Sequence, residues 1–313
     1  MKYRRLGKTP MSVSVIGIGT WQLGGEWGKK FEQAEVDAMI DKAAELGINL
    51  IDTAECYGDH LSEELIGHAV KGRRDKWIIA TKFGHKFMPN FERENLFEAD
   101  QVQKQLEDSL KALRTDYIDL YQFHSGTDEM FDTPGLWEML QKQVDAGKIR
   151  YLGISISKKY ASFYQVEKAS DVGAAAIQAV YNRVYRKPEE KIFDSCIRQN
   201  LGVLARVPLA SGFLSGKYSE DSKFTGTDVR SSWHDRDEWQ EIYKEVANFK
   251  NEVPKGVPMA HWALAWCLQN PAVTCVIPGC KNVEQVESNA LAADLQAVRD
   301  GKSHPHPDKQ QSR

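Results

Sequence analysis

The chain has 313 residues, of which 42% are hydrophobic, and a formal net charge of −3. The apolar fraction is enough for a large core, and the charge excludes the strongly basic surface typical of proteins that bind nucleic acids or anionic membranes. No apolar run follows the basic N-terminal residues and no segment is long enough to cross a bilayer, so we expect neither a secretory signal nor a membrane partner. The five cysteines show no paired spacing, which predicts reduced thiols in a cytoplasmic protein.

The chain begins with a predicted β-hairpin, in which residues 3–6 and 11–15 flank turn residues. Short apolar runs then alternate with segments of helical period. Eight strands are predicted at residues 15–19, 49–52, 77–82, 117–124, 149–155, 174–178, 201–206 and 273–277. The main helices are predicted at residues 33–46, 62–70, 102–113, 136–147, 159–169, 189–199, 258–269 and 283–295, with a long polar insertion at 215–237.

This alternation predicts an α/β protein, a (β/α)8 TIM barrel with an N-terminal β-hairpin. The competing architecture is a doubly wound open sheet, whose dinucleotide fingerprint needs a third glycine where this chain has Gln22. We expect residues 1–298 to form one barrel domain and the polar tail at 299–313 to be disordered.

In such a barrel, function resides at the carboxyl ends of the strands. Polar or ionisable residues lie at nearly all of these ends, and they are Thr20, Trp21, Asp52, Lys82, His124, Ser155, Gln178 and Arg206. Taken singly, each has a structural interpretation, since an aspartate can cap a helix, a lysine can reach the rim and a histidine can be a satisfied core residue. Because the topology brings them to one face, a functional site is the better interpretation.

The grouping also suits one kind of chemistry. Asp52 would pair with Lys82, and the ammonium would stabilise the phenolate of Tyr57 and make it a better acid. His124 could hydrogen-bond a substrate oxygen. The set suits the polarisation and protonation of a carbonyl oxygen, and it has no activated serine or thiol. No metal is expected, because the spacing of metal ligands is absent apart from a weak pair, His304 and His306, in the tail.

The order of motifs resembles the aldo-keto reductase superfamily over nearly the whole chain, especially its bacterial branch related to potassium-channel β subunits. The matching segments are 52–58 (DTAECYG), 113–120 (LRTDYIDL), 147–155 (GKIRYLGIS), 208–218 (PLASGFLSGKY) and 277–279 (IPG). The resemblance implies a catalytic tetrad of Asp52, Tyr57, Lys82 and His124. It also implies NADPH extended across the barrel mouth without a Rossmann domain.

By the family pattern, Ser155 and Gln178 hold the nicotinamide carboxamide and Tyr181 stacks on the ring. Further implied cofactor contacts are Thr20, Trp21, Asp52, Pro208, Leu209, Ser211, Lys217, Arg230, Gly279, Lys281, Gln285 and Asn289. Two departures stand out. Ile156 replaces a frequent asparagine, which removes one carboxamide hydrogen bond, and Lys281 replaces a more usual arginine, which removes a bidentate phosphate contact.

The sequence therefore predicts an NADPH-dependent reductase that acts on a small-molecule aldehyde or ketone. Two alternatives remain open, a Schiff-base lyase that uses Lys82 and a non-catalytic NADPH-binding subunit. Aromatic and imidazole side chains near the strand ends are candidate pocket walls. These are Trp21, Trp27, Phe83, His85 and Trp233.

Overall fold

The computed structural model describes residues 1–88, 92–158, 162–219, 221–232 and 236–295. Its main feature is a sheet of eight parallel strands in the order β3, β4, β5, β8, β9, β10, β11 and β12. Their bounds are β3 Ile18–Gly19, β4 Leu50–Asp52, β5 Ile78–Phe83, β8 Ile118–His124, β9 Ile149–Ser155, β10 Ala174–Val180, β11 Gly202–Arg206 and β12 Cys275–Ile277.

The sheet closes on itself, because parallel bridges join Ile16 to Val276 and Gly19 to Gly279. The first and last strands are thereby neighbours, as in a barrel and unlike an open sheet. The predicted (β/α)8 barrel is confirmed, and the doubly wound alternative is wrong. The N-terminal hairpin is also present, formed by β1 Tyr3–Arg5 and β2 Ser12–Ser14 in antiparallel register.

Two hydrophobic cores result from the alternation of side chains along the strands. One fills the barrel and contains Leu50, Ala80, Leu120 and Leu204, with Leu6 of the hairpin packed against them. The other lies between the sheet and the surrounding helices. The strands are apolar on both faces, which explains why their sequences are nearly continuous hydrophobic runs.

Helices cover the outside of the barrel. Their bounds are α1 Gln33–Glu45, α2 Leu61–Ala69, α3 Ala99–Leu113, α4 Asp128–Phe131, α5 Leu136–Asp145, α6 Phe163–Glu167, α7 Ile192–Arg198, α8 Arg236–Phe249, α9 Met259–Leu268 and α10 Val283–Leu291. In α3, Val102, Leu106 and Leu110 recur at helical spacing and are buried, and a capping box at Glu98 and Gln101 fixes its start. Within the described ranges, no helix has the length and apolar character needed to cross a membrane.

Several elements differ from the sequence prediction. A second antiparallel hairpin, β6 His85–Phe87 with β7 Arg93–Asn95, and the short α4 were not predicted. The helix predicted at 159–169 begins later, at Phe163, and residues 159–161 lie outside the described part of the chain, as does the tail at 299–313.

Candidate active site

Parallel strands end at one rim, and this rim brings the predicted side chains together. Asp52 is the last residue of β4, Lys82 is the next to last of β5, and His124 is the last of β8. Tyr57 lies in the loop that follows β4, before α2. Sequence neighbours β4, β5 and β8 are also spatial neighbours in the sheet, so these four side chains meet at one part of the mouth.

Lys82 is the centre of the group and has no exposed surface. Its Nζ donates to Asp52 Oδ2 at 2.9 Å, to the Thr53 carbonyl at 2.5 Å and to Tyr57 Oη at 3.4 Å. Burial alone would disfavour the ammonium, but Asp52 and the nearby Tyr57 oxygen outweigh it and raise the pKa of Lys82. Lys82 is therefore cationic at neutral pH.

The phenol of Tyr57 lies against other rings at the mouth. It stacks on Trp21 with ring centroids 6.0 Å apart and meets the His124 imidazole edge-on at 6.2 Å. Burial raises the pKa of Tyr57 to about 12, and the opposing effect of Lys82 is smaller. The expectation that Lys82 makes this phenol a better acid is therefore corrected. Lys82 does lower the pKa of Tyr57, but desolvation raises it by more, so the phenol holds its proton at neutral pH.

His124 is surrounded by groups that keep it neutral. Burial, followed by the charges of Lys82, Arg206 and Arg93, holds its pKa well below the usual range. Its Nδ1 lies 3.8 Å from both Glu55 Oε2 and Cys56 Sγ.

The three atoms Glu55 Oε2, Cys56 Sγ and His124 Nδ1 lie within 4.8 Å of one another, a spacing that could hold a metal ion. From the sequence no metal is expected and this group is not apparent, because Glu55 and Cys56 are adjacent in sequence while His124 comes from another strand.

A second network of polar side chains continues across the mouth from Asp52. Gln178 Nε2 donates to Asp52 Oδ1 at 2.6 Å, and Gln122 Nε2 donates to the same oxygen at 3.2 Å. Ser155 Oγ donates to Gln178 Oε1 at 3.3 Å. The predicted carboxamide ligands Ser155 and Gln178 are thus adjacent and joined to the tetrad. Gln122 was missed, although it precedes His124 by two residues and so shares its face of the strand.

Two predicted contacts are wrong. Tyr181 has no exposed surface, donates its hydroxyl hydrogen to Glu189 and packs against Phe193 and Trp266 in the outer core. It cannot stack on a nicotinamide ring at the mouth. Phe83 is likewise fully buried and packs against aromatic rings of the outer core, so it is not a pocket wall.

The remaining candidate pocket walls divide by position. Trp21 donates through Nε1 to Glu26 at 2.9 Å, meets Trp27 edge-on and stacks on Tyr57. The His85 ring lies 4.9 Å from that of His124. Trp233 falls outside the described residues. Thr20 is buried beneath this group, where its hydroxyl donates to the Asp52 carbonyl at 2.9 Å, so its side chain is a support for the strand end.

The segment after β11 turns tightly over the rim. Residues 210–215 form a 3-10 turn, in which Ala210 and Ser211 have positive φ angles of 46° and 56°. Pro208 is buried, Leu209 and Ser211 are half-buried, and Lys217 is exposed. These four predicted cofactor contacts therefore lie in one irregular segment next to the end of β11.

The predicted adenosine-phosphate end is built from the region after β12. Lys281 Nζ donates to the Trp27 carbonyl at 2.6 Å, and its backbone N–H donates to Gln285 Oε1 at 2.9 Å. Asn289 Nδ2 donates to Cys280 Sγ at 3.3 Å. Lys29, which was not predicted, donates to the Lys281 carbonyl at 3.1 Å, and its own charge is paired with Glu35 at 2.8 Å.

Two further predicted residues are constrained by close neighbours. Arg230 donates to both carboxylate oxygens of Asp228, at 2.9 and 2.7 Å, and to the Ser211 carbonyl at 3.1 Å. Arg230 was predicted as a cofactor contact, and in the structure Asp228 already neutralises its charge. Gly279 lies under the Gln22 side chain, whose amide atoms would be 2.2 Å from an added Cβ.

Comparison with known proteins agrees with this geometry. The sequence model described as "Aldo/keto reductase family" matches residues 15–300. The chain is 33% identical to "Aldo-keto reductase YhdN" of Bacillus subtilis over 92% of this chain and 87% of the relative. It is 32% identical to "Aldo-keto reductase yakc [NADP(+)]" of Schizosaccharomyces pombe over 91% of this chain and 85% of that protein.

A solved structure is also similar. The holo form of aldo-keto reductase AKR11C1 from Bacillus halodurans superimposes with a TM-score of 0.79 and 29% identity, covering 96% of this chain and 93% of that one. A family match over most of the chain, a closed barrel and a buried Asp52–Lys82 pair beside a tyrosine lead to one conclusion. The chain belongs to the aldo/keto reductase family.

Proposed function

We propose that this protein is a cytoplasmic NADPH-dependent reductase that converts an aldehyde or ketone to an alcohol. The observation that carries the proposal is the buried Lys82 ammonium, which donates hydrogen bonds to both Asp52 and Tyr57. A carbonyl oxygen placed beside Tyr57 would meet a proton donor whose conjugate base is stabilised by an adjacent cation. That arrangement stabilises the charge that develops on oxygen during reduction.

The residues present fit a dinucleotide that lies across the mouth. Ser155 and Gln178 would hold the carboxamide, and Pro208, Leu209, Ser211 and Lys217 would cover the pyrophosphate. Lys281, Gln285 and Asn289 would hold the adenosine phosphate end. Arg206 at the same mouth supports this fit. Its Nε is buried and has no hydrogen-bond partner among the described residues, so a bound ligand could supply the acceptor.

Bound NADPH would supply the hydride, and the protein supplies everything else. Tyr57 donates its proton to the carbonyl oxygen, and Lys82 stabilises the phenolate that remains. Asp52 keeps Lys82 protonated and aligned. His124 is neutral, and since its Nδ1 faces Glu55 and Cys56, its Nε2 is the nitrogen left to orient the substrate oxygen.

The alternatives account for fewer observations. A Schiff-base lyase needs a neutral amine, whereas Asp52 and Tyr57 raise the pKa of Lys82 despite its burial. A non-catalytic binding subunit would need no buried ion pair beneath a tyrosine or neutral histidine beside it. An assembled tetrad therefore favours an enzyme.

The test is the Tyr57→Phe variant, assayed by NADPH absorbance against a panel of aldehydes and ketones. Loss of the general acid should lower kcat by about 10²- to 10⁴-fold. The dissociation constant of NADPH should change by no more than about threefold, since the ring and its stacking on Trp21 remain. Tyr117→Phe, at the opposite end of β8, is the matched control and should keep wild-type turnover. Turnover in Tyr57→Phe equal to wild type would reject the mechanism.

A further inference from the structure

Arg206 is a half-buried cation at the mouth that the tetrad does not use. It is the last residue of β11, and its Nη2 donates to the Ile156 carbonyl at 3.1 Å. Its Nε is buried without a hydrogen-bond partner, and within the described ranges no carboxylate forms an ion pair with it. A buried N–H group of a guanidinium that lacks an acceptor is costly, so a ligand group is expected to supply that acceptor.

The strand register places this guanidinium above the predicted carboxamide ligands. Arg206 pairs with Val180 on β10, and Gln178 pairs with Ser155 on β9. To reach the Ile156 carbonyl, which follows Ser155, the Arg206 side chain must cross over the end of β10. It therefore lies over the rim where Gln178 and Ser155 meet.

The chemistry of the neighbourhood explains why an arginine is useful here. Asp52 already pairs with Lys82 and accepts from Gln178, so its charge is in use. Burial lowers the pKa of Arg206, which agrees with a cation that lacks full compensation. Ile156 offers no side-chain hydrogen bond, and the Arg206 guanidinium donates to its backbone carbonyl instead.

We propose that Arg206 donates to the carboxamide oxygen of the nicotinamide and makes the protein bind NADPH more tightly than NADP⁺. The inference rests on the proposed function. The reduced ring is neutral and the oxidised ring carries a positive charge, so a fixed guanidinium beside it repels only the oxidised form. The phosphates are common to both forms, so the ratio of the two dissociation constants isolates the effect on the ring.

The selectivity has a consequence for a reductase that works in one direction. After each turnover the spent cofactor must leave, and a cation beside its charged ring speeds that exchange for fresh NADPH. Arg206 thus acts on the cofactor's redox form, whereas Lys281 acts on its phosphate end.

The experiment measures the dissociation constants of NADPH, by its fluorescence, and of NADP⁺, by competition. In the wild-type protein NADP⁺ should bind about tenfold more weakly, the size expected for one partly screened charge pair. In Arg206→Met the ratio should fall to about one, while both affinities drop by a common factor for the lost hydrogen bond. Arg206→Lys keeps the charge without the planar fork, so both affinities should drop while the ratio stays near the wild-type value.

The outcomes separate the inference from the proposed function. A wild-type ratio near one, or a ratio unchanged in Arg206→Met, overturns the inference while leaving cofactor binding intact. An Arg206→Met variant that binds both cofactor forms normally but loses activity only on carboxylate-bearing carbonyls would overturn it in favour of a substrate contact. Failure of the wild-type protein to bind either form would instead reject the proposed function. A wild-type ratio near one overturns the inference even if a variant does not fold, and a variant that folds is needed to assign a higher ratio to Arg206.

Discussion

At the scale of single residues, the surroundings of each side chain fix its charge before any ligand arrives. Asp52 keeps Lys82 cationic, burial keeps Tyr57 protonated, and burial with nearby cations keeps His124 neutral. Of these groups, Tyr57 combines a transferable proton with an adjacent stabilising cation. The assignment of roles follows from these different environments, because a side chain exposed to water keeps a pKa close to its ordinary value.

His85 provides a pH-dependent test of this environment. Burial, with a smaller effect of His124, lowers the pKa of His85 to about 4. Below pH 6.5 the unfolded chain takes up a proton that the native state accepts only near pH 4, so stability is lost as the pH falls through this window. At pH 5 we expect this one group to lower the free energy of unfolding by about 2 kcal/mol relative to pH 7.

The measurement is denaturant unfolding of wild type and His85→Gln at several pH values between 7 and 4.5. Carboxylates contribute equally to both proteins, so the difference between the two curves reports His85. The free energy of unfolding of the wild type minus that of the variant should fall as the pH falls, because the variant has no imidazole to protonate. Parallel curves would mean that His85 is not buried in its neutral form.

The sequence predicted that Asp52, Tyr57, Lys82 and His124 meet, because each lies at or beside the end of an apolar strand. Side-chain direction was harder to judge. Residues alternate between the two faces of a strand, so Gln178 and Val180 face the barrel while Tyr181 faces the helices. The same alternation turns Phe83 outward after Lys82. Arg230 could not be judged at all, since its partner Asp228 belongs to an irregular segment.

At the scale of elements, the seam between β3 and β12 is a close contact of the sheet. It is formed by isolated bridges, one of which joins Gly19 to Gly279. A Cβ on Gly19 would lie 2.7 Å from the Ile277 carbonyl oxygen, a backbone atom that cannot rotate away. A Cβ on Gly279 would instead meet the Gln22 side-chain amide, which has no hydrogen-bond partner at its oxygen and can move.

Gly19→Ala and Gly279→Ala form a matched pair that tests this seam. We expect Gly19→Ala to destabilise the protein by about 1–3 kcal/mol through overpacking, and to lower Tm by roughly 2 to 8 °C. Gly279→Ala should change Tm by less than about 2 °C, since a flexible side chain absorbs the added methyl group. Thermal unfolding followed by circular dichroism measures both. Equal losses in the two variants would contradict a rigid seam at Gly19.

The strands differ in how well their bounds could be predicted from the sequence. The predicted strand at 149–155 has the same bounds as β9. The strand predicted at 15–19 is reduced to Ile18–Gly19, since glycine packs poorly and the bridge at Ile16 is isolated. The hairpin of β6 and β7 lacks an apolar face, so its strands have no hydrophobic alternation for sequence analysis to detect.

At the scale of the whole molecule, the closed barrel separates an inner core from an outer one, and the polar side chains of the candidate site lie at one rim. Sequence alternation predicted this because each strand needs cover on both faces, and only a closed ring of eight provides it without an edge. Substrate choice was beyond prediction, since it depends on the loops between strands and helices. Those loops include hairpin β6–β7 and the turns after β11, which have no periodic pattern.

The five cysteines report on the integrity of both cores together. They lie in a loop at the mouth, in α7, in α9, in β12 and after β12, and all five are buried thiols outside any disulfide. Burial raises the pKa of Cys196 and Cys280 to about 12 and raises that of Cys56 and Cys275 as well. Since the thiolate is the reactive form, the native protein should react very slowly with an aromatic disulfide reagent such as DTNB.

We therefore expect no rapid thiol release from the native protein at pH 8, and five thiols per chain in concentrated denaturant. Cys196→Ser should release four in denaturant and remain unreactive when native, which controls for the count. Below the unfolding midpoint, the rate of release should rise with denaturant in parallel with the population of opened molecules, because each thiol is exposed only when its part of the structure opens. A single thiol that reacts within seconds in buffer would show that one region opens alone. If Cys56→Ser abolished that fast phase, the loop carrying Tyr57 would be the mobile part, and the fixed geometry assumed for the proton donor would have to be revised.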